Sequence, residues 1–362
     1  MRKLATIREI ASLRPILGAD KIEVAQVDGW ECVVRKDEFR EGERIVYIEV
    51  DSVVPERPEF EFLRDRKFRV RTIKLRGQVS QGLVLPLSIL KDEWKYGLGE
   101  DVTDILGITK YDPQAQQEAQ LLTKQPKSPK NPITKFLMRF RWYRRLFLKP
   151  KRKGGFPDWI SKTDETRIQN MMTLFETESR RKTPFSVTEK MDGQSATYYL
   201  RRLSRRKFEF GVCSRNIYLA TPDNSSYWTV ARKYDMENVL KKLIGDYDTV
   251  VLQGEICGDG IQGNKYHISG YEFFAFNLIY PDRKCCTEEI ANLIEPLGLK
   301  TVPIVDWNKT LPPTIQELVE YAKGSSTVRT GQKREGVVMR NAKSNISFKV
   351  INPDFLLSER EE

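Results

Sequence analysis

The stretch Phe185–Leu200, FSVTEKMDGQSATYYL, places Glu189, Lys190 and Asp192 inside an otherwise apolar, strand-like run and closes them off with Gly193. Lys190 lies between the apolar neighbours Val187 and Met191. Burial there would cost the lysine part of its charged form, because desolvation disfavours the ammonium. Neutral lysine is a good nucleophile toward carbonyl and phosphoryl centres. Asp192 is two residues on, so in extended chain it points to the same face, where a carboxylate recruits a divalent cation or positions the amine. Gly193 lets a substrate approach the backbone. A Lys-x-Asp-Gly run alone is also what a surface ion pair on a strand looks like, so its reading depends on the residues downstream.

Downstream of Gly193 the chain carries matching pieces in order. CSRN at Cys213–Asn216 sets Arg215 and Asn216 at a strand end, and LQGEICGDG puts Glu255 after an apolar strand. FFAFNLIY supplies Phe273, Phe274 and Phe276, REGVVMR sets Glu335 at a strand mouth, and ISFKVIN carries Lys349. An unpaired buried carboxylate at the Glu335 strand mouth would be costly, and Glu255 and Glu335 together could hold a divalent metal, directly or through water. Lys190 and Lys349 suit a triphosphate. Gly258, Gly260 and Gly263 satisfy a GxGxxG pattern, but NKYHISGYEFFAFN comes next where a dinucleotide fold needs a helix.

The rest of the chain sets bounds. Its 362 residues suit two domains. No apolar run approaches the ~20 residues a membrane helix needs, so no membrane is expected, and MRKLATIREI lacks the apolar centre of a signal peptide. The five cysteines are irregularly spaced and read as reduced thiols of a cytoplasmic protein. With one histidine, His267, catalysis built on a Ser–His or Cys–His pair has a single candidate. The net charge of +11 has an address: Lys124–Lys153 holds twelve basic and no acidic residues, and without it 49 basic residues face 50 acidic ones. Such a strip attracts phosphate backbones through counterion release. A solvated linker would carry the same charges, but Phe136, Phe140, Trp142, Tyr143 and Phe147 interleave with them, which favours nucleic-acid contact, with membrane-surface binding ranked below it.

Three segments are expected. Residues 1–108 read as short strands, with KIEVAQVDGWECVV forming a hairpin across Asp28–Gly29, and suggest a small Greek-key barrel such as an OB-fold. Residues 109–155 read as a Pro-rich, basic and aromatic connector with a helix over ITKFLMRFRWYRRLFL. Residues 156–362 alternate strands with helices near Asp164–Phe175, Ser226–Leu243, Thr287–Leu297 and Thr314–Lys323.

KMDG, CSRN, QGEICGDG, FFAFN, EGVVMR and SFKV in this order resemble the covalent nucleotidyltransferases, the superfamily of ATP-dependent RNA and DNA ligases and mRNA capping enzymes. KTDETRIQN at Lys162–Asn170 is closer to the RNA ligases, and ILGADKIEVAQVDGW with TIKLRGQVSQGLVLPL resembles the N-terminal OB module of the fifth RNA ligase class. The resemblance implies an α+β chain: an OB barrel, then a DNA-ligase-type, ATP-grasp-like nucleotidyltransferase domain with antiparallel sheets and flanking helices. It implies ATP, Mg²⁺ or Mn²⁺, an RNA partner with nicked or broken ends, and a monomer. Lys190 would be the nucleophile, with Asp192, Glu255 and Glu335 around metal-bound waters. Glu189 would sit by the adenine, Phe274 or Phe276 would stack on it, and Arg167, Gly193, Arg215, Asn216 and Lys349 would contact the nucleotide. Many relatives carry a second lysine two places after Lys349, where Ile351 stands here. A DNA ligase and a non-catalytic RNA-binding OB protein are the rival readings.

Overall fold

The structure is a computed structural model that describes residues 3–92, 95–112 and 154–358. The connector expected over 113–153, its helix included, lies outside the described residues.

The front of the chain folds as an OB-type barrel of short strands. Ala5–Glu9, Arg44–Ile48 and Leu83–Pro86 make one antiparallel sheet, and Ser12–Pro15, Ile22–Val27 and Trp30–Arg35 another. The expected hairpin is present. Val27 faces Trp30 across the turn, and Asp28 takes a left-handed φ of 48° that this short polar residue tolerates. Alternation along Arg44–Ile48 sends Val46 and Ile48 into one apolar cluster and Ile45 and Tyr47 into another, so the strand is buried on both faces. The barrel's last pairing joins Thr109–Lys110 to Ser52–Val53.

The second half is built on two facing sheets. A seven-stranded sheet runs Gly154–Gly155, Ile217–Tyr218, Lys207–Cys213, Gln194–Ser204, Thr249–Gly258, Tyr271–Ile279 and Lys300–Thr301. Its pairings are antiparallel, as expected, except the last, where Phe274 pairs in parallel with Lys300. A four-stranded antiparallel sheet runs Ile304–Thr310, Pro184–Glu189, Gly336–Asn341 and Ile346–Ile351. On the larger sheet, Ala196, Tyr198 and Leu200 point to the helices Ser226–Lys233, Met236–Leu243 and Thr287–Ile294. On the smaller, Phe185, Val187, Val337, Met339 and Phe348 point to Met172–Arg181 and Ile315–Ala322. Each sheet thus has one face packed on helices, and the other faces meet across a cavity. The GxGxxG glycines lead through a short 3₁₀ turn at Gln262–Asn264 into loop and strand, with no nucleotide-binding helix after them.

Two helix expectations need correction. The helix expected over Asp164–Phe175 begins only at Met172, after a 3₁₀ turn at Ile168–Asn170. Residues 166–170 are instead held extended or turned by neighbours in space. The Lys349 N–H donates to the Thr166 carbonyl at 2.9 Å, and Arg167 and Asn170 reach the barrel. The helix expected over Ser226–Leu243 is two helices, broken where Asp235 adopts φ 47°.

The barrel docks on the second half through that 166–172 segment. Trp30 Nε1 donates to Asn170 Oδ1 at 2.7 Å, and Asn170 Nδ2 donates to Glu49 Oε1 at 2.7 Å. Arg167 pairs with Asp51 at 3.2 Å and lies 5.7 Å over the Trp30 ring. Gly29 at the hairpin tip touches the same turn, for a Cβ there would stand 2.8 Å from Gln169 Cα. Asn170→Ala would leave a buried indole N–H without its acceptor. It is expected to cost roughly 1–3 kcal/mol, read as a lower denaturant midpoint and as faster proteolysis between the two halves.

Candidate active site

Lys190 comes directly after the Pro184–Glu189 strand, a central strand of the smaller sheet. Strand alternation gives it the side of Ser186 and Thr188, away from the helices that hold Phe185 and Val187. Its backbone N–H donates to the Gly336 carbonyl at 3.0 Å, which sets it beside the neighbouring strand's mouth. There Lys190 Nζ meets Glu335 Oε2 at 2.6 Å. Gly336 makes this corner possible: its φ is 153°, and a Cβ would run into the Val350 carbonyl. From the other side the Asn352 N–H holds the Glu335 carbonyl at 2.9 Å, and Arg334 caps the Ile315–Ala322 helix through the carbonyls of Ala322 at 2.9 Å and Lys323 at 2.8 Å.

The larger sheet supplies the opposite wall. Glu255 and Ser195 are cross-strand partners, and both line the cavity with Arg215 and Phe276. Asp192 accepts from Lys265 Nζ at 2.7 Å, while its N–H donates to the Tyr266 hydroxyl at 2.8 Å. Glu189, Lys190, Asp192, Gly193, Arg215, Glu255, Phe276, Glu335 and Lys349 therefore share one cavity.

Three expected residues stand elsewhere. Phe274 is buried with Met191, Cys257, Tyr266 and Val302, and Phe276, two places on along the same face, packs against that cluster and is the ring that lines the cavity. Asn216 accepts from Lys162 Nζ at 3.4 Å and is not among the lining residues. Arg167 serves the contact with the barrel and is linked to the cavity through its backbone bridge to Lys349. Gly193 does line the cavity, yet what crowds it is protein. A Cβ there would stand 2.8 Å from Cys257 Sγ and 2.9 Å from Glu255 Cγ and would clash with the Ile256 carbonyl. Gly193→Ala is expected to push the Glu255 strand away and slow transfer chemistry by roughly 10²-fold, since small misplacements cost that much. Stopped-time labelling with nucleotide checks it.

The charge state differs from the sequence expectation of a neutral lysine. Burial works against the Lys190 ammonium, but Glu335, Glu255 and Asp192 outweigh it, and its pKa is raised. The carboxylates bear the counterpart. Burial, with Glu335 and Asp192 adding to it against Lys190, pushes Glu255 up to about 8. Burial and Glu335 push Asp192 up to about 6 against the pull of Lys265. Without a further cation the lysine is held charged.

Residues that the sequence reading does not single out complete the site. Asp164 takes Arg215 at 2.5 Å and Lys110 at 3.1 Å. Burial pushes its carboxyl up, but the two cations prevail and it ends below the ordinary range. Tyr111 and Asp112, just past the barrel, line the cavity, and Arg69 of the barrel stacks 3.6 Å over the Tyr111 ring. Arg340 bridges Thr188 at 3.1 Å and Glu165 at 3.4 Å. Asp164 lies within KTDETRIQN and Arg340 within EGVVMR, so both are visible as motif members. Nothing local marks Tyr111.

Among the described residues no three acidic, histidine or cysteine side chains are grouped to hold a metal ion directly. The donor set still fits a divalent cation held through water: three carboxylates crowd one lysine, and two of them are driven toward protonation for want of positive charge. The set also fits a purine. Glu189 Oε2 accepts from the Thr327 N–H and hydroxyl, both at 2.8 Å, whereas its buried Oε1 has no hydrogen-bond partner among the described residues.

Known proteins bear on this arrangement. A family model of RNA ligases matches residues 183–351, and an OB-fold domain model matches 4–87. An RNA ligase from Naegleria gruberi, in an apo aspartate variant, is 34% identical, with a TM-score of 0.81 over 100% of this chain and 99% of that one. The chain belongs to the RNA ligase family. Two further structures of the Naegleria gruberi RNA ligase, both variants, resemble this ligase equally. One holds AMP and Mn, with 34% identity and a TM-score of 0.81 over 100% of both chains. The other holds ATP and Mn, with 34% identity and a TM-score of 0.81 over 99% of this chain and 100% of that one. No curated protein matches the chain. Among the described residues of this RNA ligase, no helix is long and apolar enough to cross a membrane.

Proposed function

We infer that this chain is an ATP-dependent RNA ligase that joins an RNA 3′-hydroxyl to a 5′-phosphate, with nicks or breaks in RNA as its substrates and RNA repair as its setting. The observation that carries the reading is the single cavity holding Lys190, Glu335, Glu255, Asp192 and Lys349 in a chain matched over its length by RNA ligases bound to ATP or AMP and Mn. We assign it to the cytoplasm, on its five unpaired cysteines, and as a monomer.

The proposed chemistry runs in three transfers. The Lys190 amine forms a bond to the α-phosphorus of ATP as the bond to the bridging oxygen of pyrophosphate breaks, and the nitrogen gives its protons to solvent. A 5′-phosphate oxygen of RNA then takes the AMP and returns the amine to Lys190. Finally the 3′-hydroxyl oxygen bonds to the 5′-phosphorus, and AMP leaves. Splitting one hard step into activated ones is covalent catalysis. A divalent cation, when bound, supplies positive charge against the phosphates and relieves the carboxylate cluster. Asp192, Glu255 and Glu335 would hold its waters. With that charge satisfied, the carboxylates no longer fix the proton on Lys190, and the burial of the side chain favours the neutral amine. Lys349 and Arg215 would take phosphate oxygens. Phe276 would stack on the base, and Glu189 Oε1 would accept from the adenine 6-amino group. Guanine offers a carbonyl oxygen at that position, which a carboxylate repels, so ATP outcompetes GTP on this reading.

The test is incubation with α-³²P-labelled ATP and Mg²⁺ or Mn²⁺ without nucleic acid, then addition of nicked RNA. A labelled protein band is expected, whose label passes to the RNA 5′-end and is then released as free AMP as joined RNA forms; a protein that takes no label sinks the reading. Exchanging the 3′-hydroxyl strand for DNA tests the sugar, since the 2′-hydroxyl is the distinguishing handle.

A further inference from the structure

The strand Gln194–Ser204 carries the active cavity at one end and an aromatic, cationic platform at the other, on the same face. Ser195 lines the cavity. By alternation Thr197, Tyr199 and Arg201 come after it on that side, opposite the core residues Ala196, Tyr198 and Leu200. The segment 156–163 lies along this face, tied down where Gln253 Nε2 donates to the Ser161 carbonyl at 2.8 Å and where Thr163 and Ser195 hydroxyls meet at 2.8 Å. It delivers Trp159 onto Tyr199, ring centroids 5.1 Å apart and planes at 81°. Tyr218 lies 6.2 Å from Tyr199, and Arg201 stands 5.8 Å over the Trp159 ring while bonded to Glu209 at 2.6 Å. Trp159 is nonetheless 43% exposed, an unusual cost for an indole whose partners would allow it to be covered. Toward the cavity stands the exposed Lys162, and away from it the hairpin turn bears the exposed Arg205, Arg206 and Lys207. At ~3.3 Å per residue the platform is about 13 Å from the cavity wall, and the turn about as far again.

We propose that this strip is the RNA path out of the active cavity, with an unpaired base stacked on the open face of Trp159 and its backbone phosphates running past Lys162 toward Arg205 and Arg206. The proposal rests on the RNA ligase reading and adds a surface to it. Stacking on an exposed aromatic beside a cationic track is how single strands are held without regard to sequence. The partner is chosen by charge: the exposed cations here have the sign for phosphates, and the cavity where RNA ends must react opens onto the same sheet face. The Lys124–Lys153 basic run ends in sequence one residue before this sheet, since Gly154 pairs with Tyr218.

The experiment uses the full chain. Trp159→Ala is expected to raise KM for RNA roughly 10-fold, the scale of one lost base–aromatic stack, with kcat and the rate of lysyl-AMP formation within about twofold of the parent. Trp159→Phe is expected to recover most of the loss. RNA carrying 5-iodouridine a few nucleotides from the joint is expected to crosslink to the Trp159 peptide. Should Trp159→Ala unfold, the double variant Arg205→Gln/Arg206→Gln, at exposed positions, gives the second reading: a shallower salt dependence of KM for RNA. A parent that joins RNA while Trp159→Ala keeps the parental KM overturns the path, as does an unchanged salt slope in the arginine variant. A parent that takes AMP from ATP but joins no RNA sinks the ligase reading instead.

Discussion

Lys190→Ala is expected to abolish covalent labelling by ATP, a loss of more than about 10⁴-fold, as for other nucleophiles that act within a coupled set. Among the described residues, no other side chain in the cavity replaces the amine. Lys265 is engaged by Asp192 at 2.7 Å, and Lys349 stands on the Ile346–Ile351 strand rather than beside Glu335. Lys190→Arg is expected to fail as well, because a guanidinium stays protonated. The loss should be confined to the transfers that use the nitrogen. RNA supplied with AMP already on its 5′-phosphate is expected to be joined by the alanine variant, and gel analysis of that substrate separates a lost nucleophile from a collapsed site. Normal labelling of Lys190→Ala would remove the basis of the proposed chemistry.

Glu255→Gln is expected to make the protein more stable and less active at once. Burial raises the folded-state pKa of Glu255 to about 8, far above the ordinary 4.5. Between those values the folded chain binds the proton that the unfolded chain releases. Stability is therefore lost as pH climbs from about 4.5 through 8. Glutamine keeps the shape and never ionises. In the presence of a chelator the variant should unfold at least about 3 °C higher at pH 8.5, with the advantage shrinking to nothing as pH falls toward 4.5. Nucleotide transfer should drop by roughly 10²-fold or more, for want of a charge aimed at the reacting phosphate. Equal melting temperatures at pH 8.5 would show that the carboxylate is not driven toward protonation. A site that stores unfavourable charge until its ligands arrive is a common form of conflict between stability and activity.

Sequence and structure agree where chemistry and local geometry coincide. Lys190, Glu255, Glu335 and Lys349 each lie on or beside a strand, where a period of two assigns the face, so their meeting in one cavity comes from pattern once the strands are identified. Phe276 and Phe274 show the limit: two places apart, they share a face of the strand, and alternation does not say which ring is covered by its neighbours and which reaches the cavity. The register shift between Gln253 and Gly254, opposite this run, is a tertiary detail. The late start of the Met172–Arg181 helix has the same origin, because Trp30 and Asp51 lie more than a hundred residues away yet decide what residues 167–170 do. The charge of Lys190 departs from its sequence expectation for a related reason. Burial is legible from apolar neighbours, but the three carboxylates that overrule it are set in place by tertiary packing.

Tyr111 and Asp112 border the cavity, and Gly154 is hydrogen-bonded into the sheet that forms its wall. The positions on either side of residues 113–153 are thus fixed by contacts of their own, independent of whatever joins them. A substitution that broke either contact, Arg69 on the Tyr111 ring or Gly154 on Tyr218, would therefore be felt at the cavity around Lys190.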